Sequence, residues 1–89
     1  MAERNIEAEG IEFSIDEEKL AGWHMMKLIK HAQEADNEYE QASSIVGIAC
    51  YMTGLDEDGF VERCGGEDAP IQRVISVATA LIQGAYPKN

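Results

Sequence analysis

Proline occurs twice in the 89 residues, cysteine twice and tryptophan once, and aromatic residues make up only 7% of the chain. Two cysteines, Cys50 and Cys64, are too few for the disulfide framework of a small secreted domain. A reducing cytoplasm is therefore the expected setting. Long apolar runs are missing as well. The longest, Ile45 to Met52 around Gly47, is far too short to cross a bilayer. The first residues are acidic and polar, without the basic stretch and apolar run of a signal peptide. Basic residues are scarce: 7 Lys plus Arg stand against 17 Asp plus Glu, a formal charge of -10. Such a balance points away from nucleic acid and from anionic membranes, which both call for a basic surface.

What is present is an ordinary globular share of hydrophobic residues, 45%, enough for one small packed domain over residues 1–89. A domain of this size buries only about 60% of the surface its unfolded chain exposes. Self-association into a homo-oligomer is thus an expected source of further stability.

The expected fold class is α+β, mainly α: an N-terminal β-hairpin followed by three to four helices. Ile6 and Ala8, then Ile11, Phe13 and Ile15, alternate with polar neighbours, the period-two mark of half-buried strands. Glu9-Gly10 between them can make the tight turn, giving a hairpin over about residues 5–15. Asp16-Glu17-Glu18 then offers a cap and negative charge at a helix start. A first helix is expected over about 16–35, with Ala21, Met25, Leu28, Ile29, Ala32 and Ala35 as its core stripe. Asp36-Asn37 caps a second, over about 38–53, where Tyr39, Ala42, Ile45, Val46, Ile48, Ala49, Cys50 and Met52 cover more than half the circumference. Such a helix should be packed on two sides, and Gly54 should end it. Asp56-Glu57-Asp58 starts a short helix over about 56–63, carrying Phe60 and Val61 and ended by Cys64-Gly65-Gly66. The last helix, about 69–85, reads as capped by Asp68 with Pro70 in its first turn, and closed by Gly84 and Pro87. Its spacing makes Ile71, Val74, Ile75, Ala78, Leu81, Ile82 and Ala85 the core face.

Candidate chemistry is sparse. His24 and His31 share a helix face but lie two turns apart, about 10 Å, too far to hold one ion. No Cys or His pair has the short spacing that zinc sites use, so no metal is expected. Gly54 to Gly59 resembles the middle of a calcium loop, yet both registers fail. One puts Gly54 and Gly65 at ligand positions, and the other puts Val61 where a glycine must be. The acids crowd into the hairpin and turns, outside any apolar run that would raise a pKa, and no P-loop lysine follows the glycines. No catalytic residue and no cofactor site is expected; the chain reads as a non-enzyme.

Trp23 and Met26 are the oddest feature. They fall opposite the core stripe of their helix, beside Lys27 and Lys30, in a stretch from Lys19 to Gln33 that holds no acid. Two readings stay open. The hairpin covers them, or Trp23, Met26, Lys27 and Lys30 form an exposed partner-binding face, for which an acidic surface such as a neighbouring copy's hairpin would suit the lysines.

The order Gly10-Ile-Glu-Phe-Ser-Ile-Asp16-Glu-Glu-Lys-Leu20-Ala-Gly-Trp23, followed by a basic helix, resembles the tail assembly chaperones of long-tailed bacteriophages and their prophages. These open with a short strand pair, an acidic helix-starting turn, a Leu and an aromatic. A second helix ends in a Gly-plus-acid turn, here Met52-Thr53-Gly54-Leu55-Asp56, and a final amphipathic helix follows, here Pro70 to Ala85. The resemblance spans nearly the whole chain and is weakest at Cys64-Gly65-Gly66. It implies a non-enzymatic chaperone that binds the tape measure protein, aids tail tube assembly with the tube protein as a second partner, works in the bacterial cytoplasm and is absent from the mature virion. It also implies a longer product made by a backward ribosomal slip, for which Pro87-Lys88-Asn89 could be encoded CCA AAA AAC. Two other classes compete. An acidic phage-encoded inhibitor that mimics DNA would need its acids along one extended face at phosphate-like spacing, whereas here they cluster in the hairpin and turns. A small dimerisation module would be told apart by its gene neighbourhood.

Overall fold

A computed structural model describes residues 3–86, so the Pro87-Lys88-Asn89 end and its proposed slip site lie outside the described residues. The chain is a small α+β domain with an antiparallel hairpin followed by helices. Strand β1 (Glu3–Ala8) pairs with β2 (Ile11–Asp16), and the helices are α1 (Glu17–Leu20), α2 (Trp23–Gln33), α3 (Glu38–Thr53), α4 (Glu57–Arg63) and α5 (Ile71–Ala85).

The hairpin register matches Ile6 with Phe13 and Ala8 with Ile11. Glu9 and Gly10 both take positive φ, 51° and 85°, as a two-residue turn matched to strand twist requires. The alternation then separates the two faces. Ala8, Phe13 and Ile15 are buried, while Glu7 opposite Glu12 leaves the outer face acidic. Like charges directly opposite cost stability, so the inner face must hold the hairpin down. Phe13 stacks on Phe60 of α4, with ring centroids 5.5 Å apart, and the Arg63 guanidinium lies 4.8 Å over the other ring's partner, Phe13. At the tip, Arg73 of α5 donates to Glu9 at 3.1 Å and Ser76 donates to the same carboxylate. Arg4 ties the other end, donating to the Ala85 carbonyl at 3.0 Å and pairing with Glu17 at 3.0 Å.

The expected single helix over 16–35 is two. Asp16 caps only one turn, accepting from the Glu18 N–H at 3.0 Å. The chain breaks at Ala21-Gly22 and re-enters the helix from an extended Gly22, ψ 161°. Glycine is a poor helix former, so a break here is inexpensive. It leaves Ala21 exposed, against its expected place in the core, while Met25 is fully buried and Leu28, Ile29 and Ala32 pack beside it. The Tyr86 hydroxyl donates to the Leu20 carbonyl at 2.6 Å, satisfying one acceptor freed by the break.

Helix α3 is the centre of the fold. Asn37 caps it, accepting from Glu40 N–H at 2.8 Å, and Gly54 ends it at φ 76°. It packs against α2, α5, the hairpin, α1 and α4, which is why its apolar residues spread around the circumference. Even its polar side is used: Tyr51 meets His24 at 4.5 Å between ring centroids and Lys19 at 4.9 Å, and Ser44 lies 3.4 Å from His31. Tyr39 departs from the expected stripe. It sits in the first turn, beyond the packed elements, and is 84% exposed.

Helix α5 differs from expectation in three ways. Its N-cap is Pro70 and not Asp68, because Gly65 and Gly66, both at positive φ, fold the chain into a turn closed by Ala69 N–H on the Gly66 carbonyl. Gly84 lies within the helix, where a Cβ would stand 2.8 Å from Ile6, so it serves close approach to β1. The core face is rotated by roughly 40° from the expected one: Val77, Ala78, Leu81 and Ala85 are buried, and Ile71 is 67% exposed. The hairpin sits on the side carrying Arg73, Ser76 and Gly84, and so covers Val77.

Candidate functional site

Two surfaces stand out, and both are built from α3 outward. The first is the outer face of α2. Met25, Leu28, Ile29 and Ala32 turn toward α3, so residues half a turn away point to solvent. Trp23, Met26, Lys27 and Lys30, spaced i, i+3, i+4 and i+7, form one continuous strip there. Trp23 is 71% and Met26 55% exposed, and Lys27 and Lys30 are exposed beside them. The hairpin leaves this strip open because it docks on α5 and α3 instead.

Charge marks the same strip. Arg4 holds Glu17 and Ala85, Lys19 donates to the Tyr51 carbonyl, Arg63 donates to the Glu12 carbonyl, and Arg73 holds Glu9. Among the described residues, Lys27 and Lys30 have no such bond. Among the described residues, the two cations left unpaired flank the exposed Trp and Met.

The second surface is an apolar groove of about 550 Å³ between α3, α4 and the start of α5. Ala42, Val46, Val61, Val74 and Ile75 line it, with the exposed Tyr39 and Ile71 at its edge. Glu38, Glu57 and Glu67 also line it, all exposed and with no ion pair among the described residues. The sequence reading missed this groove. Its one signal was the excess of apolar residues around α3, more than its packed neighbours cover.

The remaining candidates are dispersed. His24 lies against Tyr51 and His31 beside Ser44, on the α3 side of α2. Among the described residues, no three His, Cys, Asp or Glu side chains gather where a metal ion could sit. Cys50 and Cys64 are free thiols. Burial pushes the Cys50 thiol up to about 11, with Glu57 and Asp56 adding to the effect. Burial also raises Cys64, against the opposing pull of Arg73 and Arg63. A thiol held protonated is a poor nucleophile. No described helix is long and apolar enough to cross a membrane.

No protein-family model, curated protein or solved structure matches the chain.

Proposed function

We propose that this chain is a non-enzymatic tail assembly chaperone of a long-tailed phage or prophage, which binds the tape measure protein through the outer face of α2. The observation that carries the reading is the strip Trp23, Met26, Lys27 and Lys30: exposed apolar side chains with two cations that, among the described residues, have no partner, whereas Arg4, Lys19, Arg63 and Arg73 are all bonded within the domain. Trp and Met are enriched in the cores of protein interfaces, and a tryptophan often carries much of the binding energy. The element order supports it too: a strand pair, an acidic helix start, Leu20, Trp23, a Gly54-plus-acid turn and a final amphipathic helix.

In this role the domain shields apolar stripes of a long helical client and releases them as the tail tube forms around it. The work takes place in the bacterial cytoplasm, and the protein leaves before the virion is complete. The tail tube protein is the second partner. The test is co-expression with overlapping fragments of the tape measure protein from the same genome. One or more fragments should be retained and kept soluble, with Trp23→Ala weakening retention at least tenfold. Retention of no fragment, or equal retention by Trp23→Ala and Lys27→Glu/Lys30→Glu variants, would overturn the reading.

A further inference from the structure

We infer that the α2 strip selects one kind of client segment: an amphipathic helix that carries, one or two turns from its apolar side chains and on the same face, a compact acidic patch. This rests on the reading of α2 as the client face and adds the chemistry the client must carry.

The strip is ordered along its axis. Trp23 and Met26 occupy the first turn of α2, and Lys27 and Lys30 stand about 6 and 10 Å beyond Trp23 at 1.5 Å per residue. One half is therefore apolar and the other cationic. Glu34, a further turn on at the C-cap, is exposed and ends the strip with the opposite charge. Among the described residues neither lysine forms an ion pair, with Glu34 or with any other acid.

A mate for this order sets apolar side chains against Trp23 and Met26 and carboxylates against Lys27 and Lys30. A helix can do so because residues three and four apart share a face. The buried aromatic supplies affinity, and the charges supply discrimination. A segment bordered by lysines would instead bring like charges together, which works against the wrong partner.

The acidic patch must be short. Glu34 repels an acidic run that reaches past Lys30, and the domain as a whole carries a formal charge of -10. A continuous polyanion, such as a nucleic acid or an anionic membrane surface, extends beyond the two lysines and meets that charge. Two carboxylates on one face of a helix do not. The contact is also small, two apolar side chains and two charges, so it is readily reversed, as release of a client requires.

The test uses three synthetic helical peptides without Trp or Tyr. They share one leucine stripe and carry Glu, Gln or Lys at the positions that border it. Each is titrated into the full chain while Trp23 emission is followed. The Glu peptide should bind at least tenfold more tightly than the Gln peptide, the gap closing in high salt, and the Lys peptide should not bind. Lys27→Gln/Lys30→Gln, at exposed positions, should bring the Glu and Gln peptides within twofold of each other. Lys27→Glu/Lys30→Glu should turn the preference toward the Lys peptide.

Equal binding of all three peptides, or of none, overturns the inference. So does a preference for the Lys peptide, which would put docking at the acidic margin of the groove, or a Glu preference that survives Lys27→Gln/Lys30→Gln. An emission shift that grows with protein concentration alone would assign the strip to a second copy. A shift with phosphatidylserine vesicles and none with the Glu peptide would assign it to a lipid surface. Either overturns the inference too. Binding of the Glu peptide with no tape measure fragment retained would remove the proposed function and leave this selectivity standing. Retention of tape measure fragments regardless of their charge would do the reverse.

Discussion

Replacing Phe13 with alanine should remove the contact that seats the hairpin on the helices. Phe13 is 1% exposed and stacks on Phe60, itself fully buried, while Arg63 lies over its face. Truncating a buried phenylalanine costs about 3–5 kcal/mol. The stacked pair contributes about 0.5–1.5 kcal/mol of that beyond simple burial, and the exposed Arg63 adds about 0.5–1 kcal/mol. A domain of this length has a total stability of about 4–13 kcal/mol at typical values per residue. Phe13→Ala should therefore take away about a quarter of it or more. Urea unfolding followed by circular dichroism at 222 nm reads the loss, and the stacking contribution is isolated by a Phe13→Leu, Phe60→Leu double-mutant cycle, with an expected coupling of about 0.5–1.5 kcal/mol. A loss under about 1 kcal/mol on Phe13→Ala would show that the hairpin does not dock through this residue. The same result would remove the reason why the α2 face stays uncovered.

Three further outcomes follow from the packing. Leu81→Ala, at a fully buried position, should cost about 2–5 kcal/mol, whereas Ile71→Ala, at a site 67% exposed, should cost under about 0.5 kcal/mol; equal losses would contradict the rotation of the α5 core face. Gly84→Ala should destabilise the fold despite alanine's better helix propensity, since its Cβ would stand 2.8 Å from Ile6, and a more stable variant in thermal melts would refute that close approach. The folded Cys50 thiol sits near 11 against an ordinary 9.0, so the unfolded chain ionises first; stability should be full below about 9 and fall as pH climbs toward 11. Cys50→Ala should flatten the fall, and the wild-type thiol should react slowly with disulfide reagents at pH 8.

Local signals carried much of this fold. The hairpin was legible because period-two alternation and Glu9-Gly10 state both the face and the turn within eleven residues. The starts of α3 and α4 were legible from Asn37 and Asp56, whose side chains each accept from a backbone N–H three residues on. What failed depends on distant parts of the chain. Periodicity named one side of α5, but its centre is set by where the hairpin lands, through Arg73, Ser76 and Gly84. The break at Gly22 was hidden because the apolar spacing from Ala21 to Ala35 continues across it. The α2 strip was visible in the sequence as residues off the stripe, but its exposure depended on where the hairpin packs. The groove left only the excess of apolar residues around α3 as its trace, because three separate segments make it.

The chain's single tryptophan, Trp23, is its own reporter for the central claim. Its emission can be followed at sub-micromolar protein while the tape measure fragment retained in co-expression is added. Docking of the client on the α2 face should shift the emission to shorter wavelength and protect it from acrylamide, saturating with the same Kd that calorimetry gives. Binding that leaves the emission and quenching of Trp23 unchanged would place the client elsewhere and contradict the account.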